Sequence, residues 1–342
     1  MKKFFSIIVL ALVLVTPFAW YNYHHDISGL FDRDFSKVRL DPSLQIVKMR
    51  WILDHPDRYD AFLMGSSRVG RIHPDELGDG CRWYNLYGNE ASLPQEWLEN
   101  LKILLKHDVK VKKLMLGLDD ASFQLDPHYH DHHYAALPYR EHQQLLTDLK
   151  YLLRIPVAPP TEESLFNAGR RIYDIEGTGC VLSPWADEDI EAHPGRSHSD
   201  QRFYKVVTAH EDLIEPSLWA MREILRLARE NGIEVTVFYN PIFKYGYLDG
   251  NAQKTSYFRR RLAAITPFYD FEGLNPITTE PDNFYDNLHY RPFVGSMMLR
   301  RMYGDGENVP AWFGTYVTEE TVDAHNAALE AEIDDWLRQR RN

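Results

Sequence analysis

Cysteine is scarce in this chain: 342 residues hold only Cys81 and Cys180. Two cysteines allow at most one disulfide, and no paired Cys spacing of a zinc site occurs. At this level a single disulfide and a pair of buried free thiols both stay open. Positive charge is also in short supply. Lys and Arg number 38 against 50 Asp and Glu, a formal net charge of -12. That balance argues against nucleic acid as a partner, because such binding depends on basic patches facing phosphate. A glycine-rich phosphate loop, internal repeats and low-complexity tracts are all missing. What is present is ordinary for a globular protein, with 44% hydrophobic and 26% charged residues. Such a chain buries a full core and reads as one large domain with an insertion rather than two independent domains.

Long apolar runs are absent except at the start. Lys2 and Lys3 precede a run from Phe4 to Trp20 that is broken only by Ser6, Thr16 and Pro17. Leading lysines orient such a run with the N-terminus in the cytoplasm. The reading is an uncleaved signal anchor over residues 1–20 in the cell membrane. The main domain is then expected on the periplasmic or extracytoplasmic side, behind a polar connector at 21–40. A cleaved signal fits less well, since Ala19 at position -1 would put Pro17 at -3.

Residues 41–342 read as alternating helices and strands. Leu44, Val47, Trp51 and Ile52 share a helical face,. Strands are predicted at Tyr59–Met64, Cys81–Tyr87, Leu114–Leu118, Ile233–Tyr239 and 267–271. Helices are predicted at Pro94–Leu105, Leu218–Asn231, 255–265, Tyr290–Met302 and, outside the core, Thr318–Arg340. Between the third and fourth strands, residues 124–210 carry seven prolines and form a large insertion, with helical stretches near 141–154 and 162–170. The alternation predicts an α/β fold with a parallel sheet covered on both faces. Ligands of such sheets sit at the carboxyl ends of the strands. Ser66-Ser67, Gly88-Asn89 and Asp119-Asp120 each follow a strand and should line that edge, with the insertion above it.

Two short pieces carry the chemistry. Phe62-Leu63-Met64-Gly65-Ser66-Ser67-Arg68 is an apolar run breaking into two serines, and Asp286-Asn287-Leu288-His289 lies near the end of the core. A serine hydroxyl is a poor nucleophile until a base takes its proton. A lone Gly-Ser-Ser is more often a turn whose hydroxyl caps the next helix. An aspartate three residues before a histidine changes that balance. Its carboxylate can hold one imidazole nitrogen while the other faces serine.

Together the two pieces resemble the SGNH (GDSL-like) hydrolase superfamily across roughly residues 58–302. Gly65-Ser66-Ser67 is similar to its first block, with Ser67 as nucleophile, and Asp286-Asn287-Leu288-His289 to its last. The resemblance implies a flavodoxin-like, five-stranded parallel sheet and a Ser67–His289–Asp286 triad. It also implies an oxyanion hole from the Ser67 backbone N–H, a glycine after the second strand and an asparagine after the third. Gly88 is the candidate glycine, with Asn89 to Ala91 as alternatives. At the third position stands Asp119, whose ionised carboxylate cannot donate. Either it is held protonated, or it binds Arg68, or another donor replaces it.

Gly-Ser-Ser followed by a charged residue, behind an anchor, resembles one membrane-anchored branch. That branch includes the teichoic-acid D-alanyl transfer protein and the alginate O-acetylation proteins. It implies an acyl-enzyme on Ser67 and an esterase or O-acyltransferase acting on an acyl group, acetyl first, of an envelope polysaccharide or other saccharide. A multi-spanning membrane acyltransferase is the implied partner, and no cofactor is called for. The reading leans to an enzyme, with a non-catalytic binding or assembly protein of the same fold as the rival.

Three further features remain. Arg68 follows the nucleophile directly and Arg71 lies one helical turn on; they read either as solvated or ion-paired arginines or as contacts to an anionic substrate group or Asp119,. His128, His130 and His132 alternate within a loop, which leaves a metal-dependent hydrolase as a second alternative, although a polar lid is the plainer role. Tyr129, Tyr134, Tyr139, Trp185 and Tyr204 offer flat faces for a sugar ring, or simply fill a large core.

Overall fold

The computed structural model describes residues 2–31, 34, 42–89, 92–125, 130, 136–156, 172–204, 213–250, 252–304 and 308–339. In chain order the main elements are α1 (Lys2–His25), α2 (Leu44–Asp54), β1 (Ala61–Gly65), β2 (Trp83–Asn85), α3 (Pro94–Lys106) and β3 (Lys113–Leu118). They are followed by α4 (Gln144–Leu153), α5 (Pro184–Ala192), α6 (Ile214–Glu230), β4 (Glu234–Tyr239), α7 (Lys244–Asp249) and α8 (Ala252–Ala263). The chain finishes with β5 (Phe268–Asp270), α9 (Pro292–Tyr303), β6 (Thr315–Val317) and α10 (Val322–Gln339).

The strands form one mixed sheet in the order β2-β1-β3-β4-β5-β6. The first five are parallel; β6 runs antiparallel to β5, pairing Phe268 with Val317. Five parallel strands were expected, so β6 corrects that count. Thr315–Val317 is too short for a visible alternation, and only Val317 is buried,.

β1 is buried at every position, as befits a parallel strand with helices on both faces. Phe62 and Met64 face a core shared with Trp97 and Leu101 of α3, Leu218 and Met221 of α6 and Phe258 of α8. Leu63 and Met115 face the opposite core, with Val294 and Met298 of α9. α6 earns its helix by burying Leu218, Met221, Ile224 and Ala228 along one face,. It stops at Gly232, whose φ of 66° is the left-handed conformation that closes helices,.

From β1 the chain steps outward to β2 and then back across to β3, so the switch in strand order lies between β1 and β3. A crevice opens at the carboxyl ends of such neighbours. Part of the insertion borders this region: the Asn85 N–H donates to Thr178 O at 2.7 Å and Val181 N–H to Gly70 O at 2.8 Å. The helical stretch expected near 162–170 lies outside the described residues. Cys180 is buried and Cys81 half-buried, and both are free thiols.

The expected single-pass anchor does not hold. Among the described residues no helix is long and apolar enough to cross a membrane. The physical reason is in the run itself. It is near the minimum spanning length of roughly 17–25 residues, it contains Ser6, Thr16 and Pro17, and its helix continues into Tyr21, Asn22, Tyr23, His24 and His25. Asn22 Nδ2 instead donates to the carbonyls of Leu152 and Arg154 at 2.9 Å, joining α1 to the end of α4.

Candidate active site

Ser67 sits on a one-turn 3-10 helix, Ser67–Arg71, that begins as β1 ends. Ser66 caps that turn, its Oγ accepting from the Arg68 N–H at 3.3 Å. Space for the turn comes from two glycines paired across the sheet, Gly65 and Gly117. A Cβ on Gly117 would lie 2.5 Å from Val69 Cγ1 and 2.6 Å from Phe238 Cζ, and one on Gly65 would lie 2.7 Å from Val69 Cγ2. Val69 therefore packs directly on the strand ends, which draws the turn down and sets Ser67 at the crevice. Gly117→Ala is expected to push Val69 away and cost about 1–3 kcal/mol of stability. The same change should weaken any reaction of Ser67, and urea unfolding together with serine labelling reads both. An alanine variant with wild-type stability and labelling would show that the turn does not depend on this contact.

Ser67 Oγ lies 2.9 Å from His289 Nε2. The other ring nitrogen, Nδ1, lies 2.8 Å from Asp286 Oδ2 and 3.0 Å from Oδ1. Asp286 is fixed in turn by the backbone N–H groups of Leu288 and His289, both donating to Oδ1 at 2.8 Å. Burial pushes the Asp286 carboxyl up, but hydrogen bonding to His289, its charge and these two N–H donors hold it well below the usual carboxylate range. It is a carboxylate when the imidazole needs one. The loop closes on itself, with Phe284 bridged to Tyr290 and the Tyr285 N–H donating to His289 O at 2.8 Å. Tyr290 fastens it to the sheet through its hydroxyl, which donates to Asn240 Oδ1 at 2.8 Å, while Asn240 Nδ2 donates to Leu118 O.

Asp119 is fully buried, and its Oδ2 accepts the Ser66 hydroxyl at 2.5 Å. It also lies 3.7 Å from Arg68 Nε, and Arg68 Nη2 donates to Asp120 Oδ1 at 2.6 Å. Burial raises the Asp119 carboxyl, and the Arg68 charge pulls it back only in part. Of the alternatives set out for this residue, the geometry matches Arg68 binding, with Ser66 added. The contact spans the switch point, tying the end of β3 to the turn at the end of β1.

Gly88 reaches the same edge, but its N–H donates to Gly65 O at 3.1 Å. It is therefore not the free oxyanion donor the resemblance calls for. Its lack of a side chain serves packing, since a Cβ there would meet Gln45 Nε2 at 2.5 Å. Asn89 follows, half-buried; Glu90 and Ala91 lie outside the described residues. Lys48, fully buried on α2, holds the end of β2 by donating to the carbonyls of Asn85 and Tyr87 at 3.0 and 3.2 Å.

Sequence reasoning missed a second buried charge group behind the site. Arg259 donates through Nε to Asp270 Oδ2 at 2.6 Å and through Nη2 to Glu272, and His325 Nε2 is 2.9 Å from Asp270 Oδ2. No motif links these residues; β5, α8 and α10 bring them together. Glu272, Arg259 and Asp120 line one water-sized cavity of about 20 Å³,. Burial, with Asp270 and Asp120 adding like charge, outweighs Arg259 and pushes the Glu272 carboxyl from 4.5 to about 8. Between those values the folded protein holds a proton that the unfolded chain releases, so stability should fall as pH rises from about 5 through 8. Glu272→Gln is expected to flatten that decline. Urea midpoints at pH 6 and pH 9 measure it, and parallel profiles for the two proteins would mean that Glu272 is ionised throughout.

Of the histidine cluster, His128 and His132 lie outside the described residues. His130 is buried, with Nδ1 2.6 Å from Glu96 Oε1 on α3, a packing role. Among the described residues two other groups bring potential metal ligands together, His73–Asp75–Cys180 and His198–Glu280–Asp282. Neither includes a triad residue, and burial pushes the Cys180 thiol up to about 12 while it donates to Ile72 O. Tyr139 belongs to the core and Trp185 is half-buried on α5; Tyr129, Tyr134 and the Tyr204 side chain lie outside the described residues. Neither a family model nor a curated protein matches this chain.

Proposed function

We propose that this protein is an SGNH-like serine enzyme that hydrolyses or transfers an ester-linked acyl group. The observation that carries the reading is the continuous Ser67–His289–Asp286 relay at 2.9 and 2.8 Å. The strand order supports it, because the five parallel strands follow the flavodoxin-like order 2-1-3-4-5 with the nucleophile after the first,. The resemblance adds acetyl as the acyl group and a saccharide as its carrier; the triad itself asks only for an acyl ester.

In this mechanism His289 Nε2 takes the Ser67 proton as Oγ attacks the acyl carbonyl carbon. Asp286 holds the imidazole tautomer and stabilises the imidazolium. Collapse of the tetrahedral intermediate expels the alcohol, which receives the proton from His289 and leaves acyl-Ser67. Water then completes hydrolysis, or a sugar hydroxyl completes transfer.

One observation favours a second reading, a non-catalytic binding or assembly protein of the same fold. Asp119 and Gly88 both fail as oxyanion donors, and such donors are worth roughly 2.7–4 kcal/mol each. A serine-directed fluorophosphonate separates the two. An adduct on Ser67 that disappears in His289→Ala supports the enzyme; an unlabelled Ser67 in folded protein supports the rival.

A further inference from the structure

Among the described residues four arginines stand near the triad, and three of them are already neutralised. Arg68 pairs with Asp119 and Asp120, Arg202 with Asp200, and Arg291 with Asp187 and Glu191. Arg71 differs. It has no ion pair with a carboxylate among the described residues, although the chain as a whole carries a net charge of -12.

Arg71 is nevertheless held in place. It ends the 3-10 turn that begins with Ser67. Its Nε donates to Ser183 Oγ at 3.2 Å, and its guanidinium lies 4.3 Å over the centre of the Tyr285 ring. Tyr285 immediately precedes Asp286 and is anchored by its own hydroxyl, which donates to Asp187 Oδ2 at 2.7 Å. One arginine thus touches the nucleophile's turn, the triad loop and the insertion together. With stacking on the ring and a hydrogen bond through Nε, the two Nη groups of the half-buried side chain have no hydrogen-bond partner among the described residues. That is the fork that recognises a carboxylate through two parallel hydrogen bonds. Its orientation is set before any ligand arrives, which lowers the entropy cost of binding.

We propose that Arg71 is a subsite for a single carboxylate on the substrate of Ser67, so that the substrate is an anionic acyl ester. The proposal rests on the reading of Ser67 as nucleophile. One unpaired positive charge matches one negative charge, which favours a carboxylate over a doubly charged phosphate.

Two stable amide analogues of acetyl esters test it, para-acetamidobenzoate with a carboxylate and acetanilide without one. Binding of each to the full-length protein is followed by NMR at low salt. The carboxylate should bind roughly tenfold more tightly, as a charged hydrogen-bonded pair is worth. Arg71→Gln should remove that preference and leave acetanilide affinity unchanged, while Arg71→Lys keeps part of it, retaining the charge without the fork. Equal affinities in the wild type, or no binding of either, would overturn the proposal. So would a preference that survives in Arg71→Gln, or equal weakening of both ligands, which would mark a purely structural arginine. Turnover of para-nitrophenyl acetate, compared with Ser67→Ala, reports separately on the nucleophile, because that ester carries no carboxylate.

Discussion

Ser67→Ala is expected to lower turnover of an activated acetyl ester by at least about 10⁴-fold, to near the residual rate left when a triad loses a member. The size follows from the division of labour in the site. Ser67 Oγ is the atom that would form the bond, and it has His289 Nε2 at hydrogen-bond distance. Little stability should be lost with it, because the half-buried hydroxyl leaves no buried partner stranded. The adjacent serine provides the contrast. Ser66 is buried and its hydroxyl proton is held by Asp119, so it is not available to attack. Ser66→Ala takes the shortest hydrogen bond from a buried carboxylate that keeps Arg68 and Ser122, and should cost about 1–3 kcal/mol of stability,. Initial rates and urea unfolding on both variants separate the two roles. If Ser67→Ala kept wild-type turnover, the proposed mechanism would be wrong.

The largest stability effect is expected at Arg259. Arg259→Met removes the guanidinium shared by Asp270 and Glu272, all three groups being nearly inaccessible to water. Breaking a buried pair from one side costs about 3–5 kcal/mol, because the remaining charge is left without compensation. Arg259 holds the Asp270 carboxyl down at about 2, against burial that would raise it, with help from His325. Neutralising the partners as well, in Arg259→Met/Asp270→Asn/Glu272→Gln, should recover much of the loss, since the penalty lies in the stranded Asp270 carboxylate, joined by Glu272 only above about pH 8, rather than in lost volume,. A single variant within about 1 kcal/mol of wild type would mean that water reaches these groups on opening.

Where local pattern and chain punctuation were strong, the fold was legible. The five parallel strands and the helices at Pro94, 255–265 and 318–340 fall within a few residues of their expected places, because each buries a face whose period shows in the sequence. The antiparallel β6 and the short helices α5 and α7 were not visible, being too short or too polar to carry a period. The apolar run at the start misled because its composition resembles a spanning helix, whereas its helix carries Ser6, Thr16 and Pro17 and runs on into polar residues, and among the described residues no helix is long and apolar enough to cross a membrane.

The candidate site divides in the same way. Gly-Ser-Ser and Asp-x-x-His are local signals, and the spacing of Asp286 and His289 already determines that carboxylate and imidazole meet on one turn. What Asp119 and Gly88 do was beyond the sequence. Both stand at the expected edge, but one accepts from Ser66 beside Arg68 and the other donates to Gly65, facts decided by which strand ends lie side by side. The isolation of Arg71's charge is also tertiary: it depends on Tyr285 and Ser183 reaching it and, among the described residues, on Asp120, Asp187 and Asp200 pairing with other arginines and Asp286 with His289. Periodicity and short spacing are properties of neighbours along the chain, and the sequence determines them alone. Charge compensation and the direction of a donor depend on neighbours in space, which only the folded sheet and its insertion supply.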